Sequence, residues 1–379
     1  GAPSVFGRWR DRWAEWRNRL LASSRFQRWA AGFPPTRGIA RRRSRGLFDL
    51  CAGFVYTQVL FACVRLDLFA ILGDEGPATP AALAVRLSLP LDGAERLLRA
   101  AAALDLVESR AGGRYGLGPQ GAVVRGNPGI AAMVEHHDRL YADLADPVAL
   151  LRGERADTAL SRYWPYAESG DPTAVGAEQV APYSALMARS QPMIAAEVLA
   201  AYPFHRHRRI LDVGGGDGAF LTAVAEAVPH LELVLFDLPA VGERARATFE
   251  SAGLTDRARV ATGDMVHEPL PGDADVATLV RILHDHDDAT ALAILRNVHA
   301  ALPPGGTVVV AEPMAGTKGA EAVGDAYFGL YLLAMGRGRP RTPDANADLL
   351  RRAGFGAVRT HPTRQPFLTS VVSARCTGM

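Results

Sequence analysis

The chain reads as an α/β protein, with a doubly wound sheet behind a smaller helical domain, and three observations carry that expectation. After His205, short apolar runs alternate with helical stretches to the end, the pattern of a parallel sheet covered on both faces. The run Ile210-Leu211-Asp212-Val213-Gly214-Gly215-Gly216-Asp217-Gly218-Ala219-Phe220 reads as a buried strand turning through clustered glycines into a helix. Between Thr79 and Leu117 lie two helical stretches and a small hairpin, the order of a winged helix.

The elements follow in order along 379 residues, a length with room for about two domains. Residues 1–46 hold twelve arginines and two acids, Asp11 and Glu15, so this arm carries +10 and the rest of the chain −8. Trp9, Trp13, Trp16 and Leu20 form one helical stripe, with Arg10, Arg12, Arg17 and Arg19 largely off it. Such a helix either lies at a membrane surface, aromatic side down, or packs its tryptophans on the protein's own helical domain. Pro34-Pro35 ends that section. Leu47 to Leu72 is apolar, but Asp49, Gln58, Arg65 and Asp67 interrupt it, which favours core helices over a membrane crossing.

Thr79-Pro80 caps one helix, and Pro90-Leu91-Asp92 opens a second whose Leu97, Leu98, Ala101 and Leu104 face inward. Leu106–Ser109, Gly112-Gly113 and Arg114–Leu117 make the hairpin. Residues 129–202 are helical and aromatic-rich, with His136-His137, Tyr163-Trp164 and Tyr183. The expected strands are Ile210–Val213, Leu231–Phe236, Arg259–Ala261, Val276–Val280, Thr307–Ala311, Ala357–His361 and Thr369–Ala374. The expected domains are the arm 1–46, a helical domain 47–200 and the sheet domain 201–379. Cys51, Cys63 and Cys376 have no metal-ligand spacing and read as small buried hydrophobes in a reducing compartment.

Clustered glycines before a helix, with Asp237 ending the next strand about 20 residues on, are the Rossmann-like arrangement for a nucleoside cofactor whose ribose meets the carboxylate. Gly214, Gly216 and Ala219 also satisfy the dinucleotide fingerprint, so NAD stays open on the loop alone. The surroundings favour a cationic ligand. Asp212, Asp237 and Asp264 are expected to converge on the crevice, and no basic side chain stands in the loop to meet a diphosphate. S-adenosylmethionine, with its sulfonium and ammonium groups, fits that charge.

Taken in order, Asp-Val-Gly-Gly-Gly-Asp-Gly, Phe-Asp-Leu-Pro, Gly-Asp-Met and Ile-Leu-His-Asp-His-Asp-Asp resemble the S-adenosylmethionine-dependent small-molecule O-methyltransferases, from residue 47 to the end. Plant caffeate and flavonoid enzymes and acetylserotonin methyltransferase belong there. The arm, with Arg25-Phe26-Gln27-Arg28-Trp29-Ala30 and Phe48-Asp49-Leu50-Cys51-Ala52-Gly53, is most similar to the hydroxyneurosporene (demethylspheroidene) O-methyltransferases of purple phototrophic bacteria. Those methylate the tertiary hydroxyl of an acyclic carotenoid. A sister branch methylates a ring carbon of bacteriochlorophyllide.

The resemblance implies a homodimer joined through the helical domain, and a methyltransferase sheet domain. It places Asp212, Gly214 and Gly216 beside the methionine portion of the cofactor, with Met187 and Gln191 near its sulfur and carboxylate. Asp237 takes the ribose, and Leu238, Asp264 and Met265 meet the adenine. His284 is the general base, and Glu312 holds its imidazole in the working tautomer. Tyr183, Tyr327, Tyr331, Met335 and His136 fall in the acceptor pocket. The location implied is cytoplasmic, with residues 1–33 against the inner membrane. One departure stands out: where the plant enzymes carry Gly-Lys-Glu-Arg-Thr, this chain has Gly338-Arg339-Pro340-Arg341-Thr342, so proline replaces a second glutamate.

Bland readings compete with several of these. His136-His137 suggests a metal, yet adjacent helical histidines point apart and no partner cluster accompanies them. Asp285, Asp287 and Asp288 fit the polar start of a helix Ala289–Leu302 better than a cation site. A DNA-binding regulator is the non-enzyme alternative. Arg96 and Arg99 are the only positive groups on its second helix, a poor match to a duplex.

Overall fold

A computed structural model describes residues 5–155, 157–163 and 177–377. The chain forms two compact units, residues 1–125 and 126–379.

The first unit is mainly helical: α1 (Val5–Ala22), α2 (Ser24–Gly32), α3 (Pro34–Arg65), α4 (Leu68–Asp74), α5 (Pro80–Arg86), α6 (Leu91–Ala103) and α7 (Pro119–Arg125). Between the last two, β1 (Val107–Arg110) pairs antiparallel with β2 (Arg114–Leu117). Gly112 and Gly113, both at positive φ, turn that hairpin. The Thr79 hydroxyl caps α5 by accepting from Ala82 N at 3.3 Å, and α6 buries Ala94, Leu98 and Ala101. The helix–helix–hairpin expectation is what the fold shows.

Pro34 and Pro35 begin a helix rather than end one, since a proline at the first helical positions gives up only an N–H that had no partner. The apolar stretch from Leu47 packs as core only from Cys63 onward. Cys63, Val64, Leu68, Phe69 and Leu72 are buried, while Leu47, Phe48, Leu50 and Phe54 stay exposed along α3. By length and composition α3 could cross a membrane. Cys51 is exposed rather than buried, because it lies on that uncovered length of helix. Trp9, Trp13 and Trp16 are 55–73% exposed, so the tryptophan stripe does not pack on its own helical domain.

The second unit opens with α8 (Pro128–Asp143), α9 (Pro147–Leu151), α10 (Ala159–Tyr163) and α11 (Ala177–Ala201). These helices, assigned with the first domain on sequence, sit in the unit of the sheet. On α11, Ile194, Ala195, Val198 and Tyr202 just beyond it share a core with Ile210, Leu221 and Leu233. Then come β3 (Arg209–Val213), α12 (Ala219–Ala227), β4 (Glu232–Asp237), α13 (Pro239–Ser251), β5 (Ala258–Thr262), β6 (Val276–Val280), α14 (Asp288–Ala301) and β7 (Thr307–Glu312). A π-helical segment, Ala322–Tyr327, leads into α15 (Phe328–Met335), followed by α16 (Pro343–Arg352), β8 (Phe355–His361) and β9 (Ser370–Cys376).

All seven expected strands form one sheet in the order β5-β4-β3-β6-β7-β9-β8. It is not wholly parallel. β9 runs antiparallel to both β7 and β8, because the short stretch joining β8 to β9 makes a hairpin and not a crossover. The order reverses between β3 and β6. A crevice opens there at the carboxyl ends of the strands, where doubly wound sheets take their ligands.

Candidate active site

The glycine loop is shaped by backbone conformation. Gly214, Gly216 and Gly218 lie at φ +72°, +62° and +87°, a region that costs other residues about 1–2 kcal/mol. A Cβ on Gly214 would meet Ile282 Cδ1 at 2.4 Å, whereas one on Gly216 would meet nothing within 4 Å and would intrude on open space. The loop edges a cavity of about 650 Å³, within the range of small-molecule sites.

Asp237 ends β4 and closes the loop onto the strand. Its Oδ2 accepts from Gly216 N at 2.8 Å and its Oδ1 from Leu238 N at 2.7 Å. Burial pushes its pKa up to about 6, against those two bonds. Leu238, Asp264 and Met265 line the same cavity, as do Met187 and Gln191 from α11. Asp264 is tied by Val266 N at 2.8 Å and by His267 Nδ1 at 2.7 Å. These residues, converging from the ends of β3, β4 and β5, can hold a nucleoside with a cationic tail.

Asp212 does not reach the cavity wall. Strand residues alternate faces. With Leu211 and Val213 in one core, Asp212 turns to the other side, 1% exposed, and accepts from Thr278 Oγ1 at 2.6 Å. Its Oδ2 has no hydrogen-bond partner among the described residues, and burial pushes its pKa up to about 7.

His284 lies in a 3₁₀ turn, Leu283–Asp285, just beyond β6. The side chain is buried one layer behind the cavity wall, where its neighbours Arg281, Ile282, Asp285 and His286 stand. Burial, with the Arg281 and Arg341 charges, lowers the imidazole to about 3, so it is neutral at physiological pH. Nδ1 has no hydrogen-bond partner among the described residues.

Glu312 does not orient that imidazole. It is wholly buried at the end of β7, and its Oε2 accepts the backbone N–H of His284 at 3.0 Å, while Oε1 accepts from Asn346 Nδ2 at 3.2 Å. The turn's peptide groups are buried and need partners, and that need claims the carboxylate. The carboxylate beside the ring is Asp285, with Oδ1 3.3 Å from His284 Nε2. The helix reading suits Asp287, which caps α14 through Thr290 N at 2.8 Å, and Asp288 in its first turn, but not Asp285.

The expected acceptor residues form a packed aromatic cluster and do not line the cavity. His136 Nε2 is 2.8 Å from Tyr331 Oη and His137 Nε2 is 2.8 Å from Tyr327 Oη, so each histidine is paired with a tyrosine. Tyr331 and Met335 are buried with Leu140, Leu150 and Leu160. Phe328 links the cluster to the site, its ring centroid 5.8 Å from that of His284. The side chain of Tyr183, like Trp164, lies outside the described residues.

Sequence reasoning missed Arg281, Asp285, His286 and Arg337 in the wall. Arg281 could have been found. It directly follows the expected strand Val276–Val280, at the strand end where ligands bind. Arg281 sits at φ +58° and donates to Ser190 Oγ at 2.8 Å and to Met187 O at 3.1 Å, tying the turn to α11.

Known proteins match both units of the chain. An O-methyltransferase domain profile matches residues 141–356, and an O-methyltransferase dimerisation domain matches 48–124. A demethylspheroidene O-methyltransferase of Cereibacter sphaeroides is 44% identical over 94% of this chain and 93% of its own length. Another, from Rhodobacter capsulatus, is 41% identical over 94% of this chain and 88% of its own. A solved structure of human N-acetylserotonin methyltransferase in complex with S-adenosylmethionine superposes with a TM-score of 0.75 at 25% identity, covering 89% of this chain and 98% of that one. The chain belongs to the O-methyltransferase family.

Proposed function

We propose that this enzyme transfers the methyl group of S-adenosylmethionine to the tertiary hydroxyl of an acyclic 1-hydroxy carotenoid. The observation that carries the substrate is the 44% identity, spread over nearly the whole of both chains, with a demethylspheroidene O-methyltransferase. Bound S-adenosylmethionine supplies a methyl group on a positively charged sulfur, open to attack from the far side. In this reading Gly214 and Gly216 would leave room for the bound cofactor, Asp237 would hold its ribose, and Leu238, Asp264 and Met265 would enclose its adenine. Met187 and Gln191 meet the methionine end.

His284 is the base. A tertiary alcohol is too weak an acid for imidazole to ionise beforehand. Its oxygen becomes a strongly acidic oxonium as the new C–O bond forms and the carbon–sulfur bond breaks. A neutral imidazole accepts that proton even with its basicity lowered by burial, and such assistance is worth about 10²–10⁴ in rate. Asp285 beside Nε2 favours the tautomer that leaves the Nδ1 lone pair free. In this reading the acceptor approaches the imidazole from the side of Phe328, whose ring centroid is 5.8 Å from that of His284.

The exposed tryptophans and the arginines of residues 1–46 support a reading in which the enzyme works at the cytoplasmic face of the inner membrane, whose apolar interior dissolves a long polyene. The test is incubation of purified protein with methyl-labelled cofactor and 1-hydroxy carotenoids. A labelled methyl ether is expected. Absence of that product, or a carbon-bound methyl on a bacteriochlorophyll precursor in mass spectrometry, rejects the substrate.

A further inference from the structure

The turn carrying His284 and Asp285 is gripped from two sides. On one, Glu312 accepts the backbone N–H of His284. On the other, the segment 338–341 wraps the turn's carbonyls. Arg339 N donates to His284 O at 2.9 Å. Arg341 Nη1 donates to Leu283 O at 2.6 Å, and its Nη2 donates to His286 O at 2.7 Å. The remaining edge of that guanidinium, Nε, meets Asp288 Oδ1 at 2.9 Å in the first turn of α14. Arg341 is 3% exposed, so all three arms of a buried guanidinium are spent on this one turn and the helix behind it.

The wrap has a steric condition as well. Gly338 lies at φ +82°, and a Cβ there would stand 2.1 Å from His284 O. Pro340 occupies the place of the glutamate that the plant enzymes carry.

We propose that Arg341 is a positioning residue for methyl transfer, holding the turn so that the His284 imidazole and the Asp285 carboxylate face the reacting oxygen. The inference rests on His284 being the base. Arg341 reaches the ring through the peptide carbonyls on either side of it, which a glutamate at position 340 could not bond. A shift of the turn by an ångström or so is enough to cost much of the rate, because methyl transfer needs near-collinear alignment.

Its charge matters too. The groups facing His284 are Asp285 and His286 from the same turn, Arg281 from the end of β6, Glu312 from β7 and Arg341. Beyond Asp285 stands Tyr331 of α15. Burial is the main cause of the imidazole's low basicity, and the Arg281 and Arg341 charges lower it further. Removing the guanidinium therefore raises the His284 pKa.

Arg341→Gln and Arg341→Lys, compared with the wild-type chain, test the proposal. For Arg341→Gln we expect kcat to fall at least about tenfold, the affinity for S-adenosylhomocysteine to stay within about threefold, and the acidic limb of the pH–rate profile to move to higher pH. Arg341→Lys keeps the charge but cannot span both carbonyls. It should lose rate with the acidic limb unmoved. A histidine-ring NMR titration, with the His284 signal assigned by its loss in His284→Gln, reads the pKa change without any acceptor substrate.

A wild-type chain inactive on hydroxy carotenoids would reject the proposed substrate and leave the NMR arm to judge Arg341. A folded Arg341→Gln with unchanged kcat and unchanged His284 titration overturns the proposal. So does an Arg341→Lys of wild-type rate, should the glutamine variant fail to fold.

Discussion

Asp285 Oδ1 stands 3.3 Å from His284 Nε2, and both side chains are almost wholly buried. Two consecutive residues of one 3₁₀ turn thus present an imidazole and a carboxyl together, with the carboxyl reaching the cavity wall. Burial pushes the carboxyl's pKa well above the usual range and the imidazole's down to about 3. Burial thus disfavours the charged form of both groups.

His284→Ala should lower kcat by about 10²–10⁴ while leaving S-adenosylhomocysteine affinity near wild type, since the glycine loop and Asp237 are untouched. Asp285→Asn should cost at least about tenfold in kcat by weakening the tautomer preference. Steady-state kinetics with calorimetry of the spent cofactor checks both. Near-normal turnover of the alanine variant rules out the base.

Burial sets up an opposition in the pH dependence of folding. The buried histidines, His284 at about 3 and His136 and His286 at about 4, bind fewer protons folded than unfolded. Their contribution is present above pH 6.5 and is lost as pH falls through their folded values. The acids Asp212 at about 7, with Asp237 and Glu312 at about 6, act in the other sense. Their raised values favour the fold below about pH 4, and that advantage is lost as pH rises toward 6–7. Asp212→Asn removes one member. Its stability relative to wild type should grow between pH 4 and 7, levelling at roughly 2–4 kcal/mol. Thermal melts of the two proteins across that range decide it, and parallel curves contradict the burial argument.

Gly214→Ala forces an L-residue to φ +72° and drives its Cβ to 2.4 Å from Ile282 Cδ1. We expect a loss of about 1–3 kcal/mol in stability and cofactor affinity weakened by an order of magnitude or more. Gly216→Ala meets no protein atom within 4 Å, so its effect should fall mainly on ligand affinity. Calorimetry and melting of the pair separate the two. Equal behaviour of both variants would mean that the loop does not face a ligand.

Much of this architecture was legible before any coordinates, for reasons that differ by element. The seven strands were readable because buried strands are continuous apolar runs bounded by turns, and Asp237 because its distance from the loop is set by one strand–helix–strand unit. What stayed hidden depends on which way a side chain turns. Asp212 sits on the expected strand yet faces the core, and Glu312 lies beside the expected histidine yet serves its peptide N–H. The role of Asp285 was masked by two true helix-starting acids next to it, and Arg341 by its distance in sequence, 58 residues from Leu283 in the turn it grips. The uncovered face of α3 could not be read because an apolar helix looks the same in sequence whether its cover comes from its own chain or from elsewhere.

The arm makes the remaining prediction. α1 packs on α2 and α2 on α3, and Trp9, Trp13, Trp16, Trp29 and Phe33 remain exposed beside a high density of arginine. Each arginine near an anionic surface contributes about 1 kcal/mol, a contribution that salt screens, while inserted indole rings contribute an apolar part that salt does not. Deleting residues 1–33 should therefore abolish most association with phosphatidylglycerol-containing vesicles. Turnover of detergent-solubilised substrate should stay within about threefold. Replacing Trp9, Trp13 and Trp16 by serine should leave binding at low salt and lose it near 0.15 M, where the Debye length is about 8 Å. Vesicle sedimentation across a salt series makes the measurement. Full-length and truncated proteins that sediment alike would remove the membrane from this enzyme's description and leave the tryptophan face to another partner.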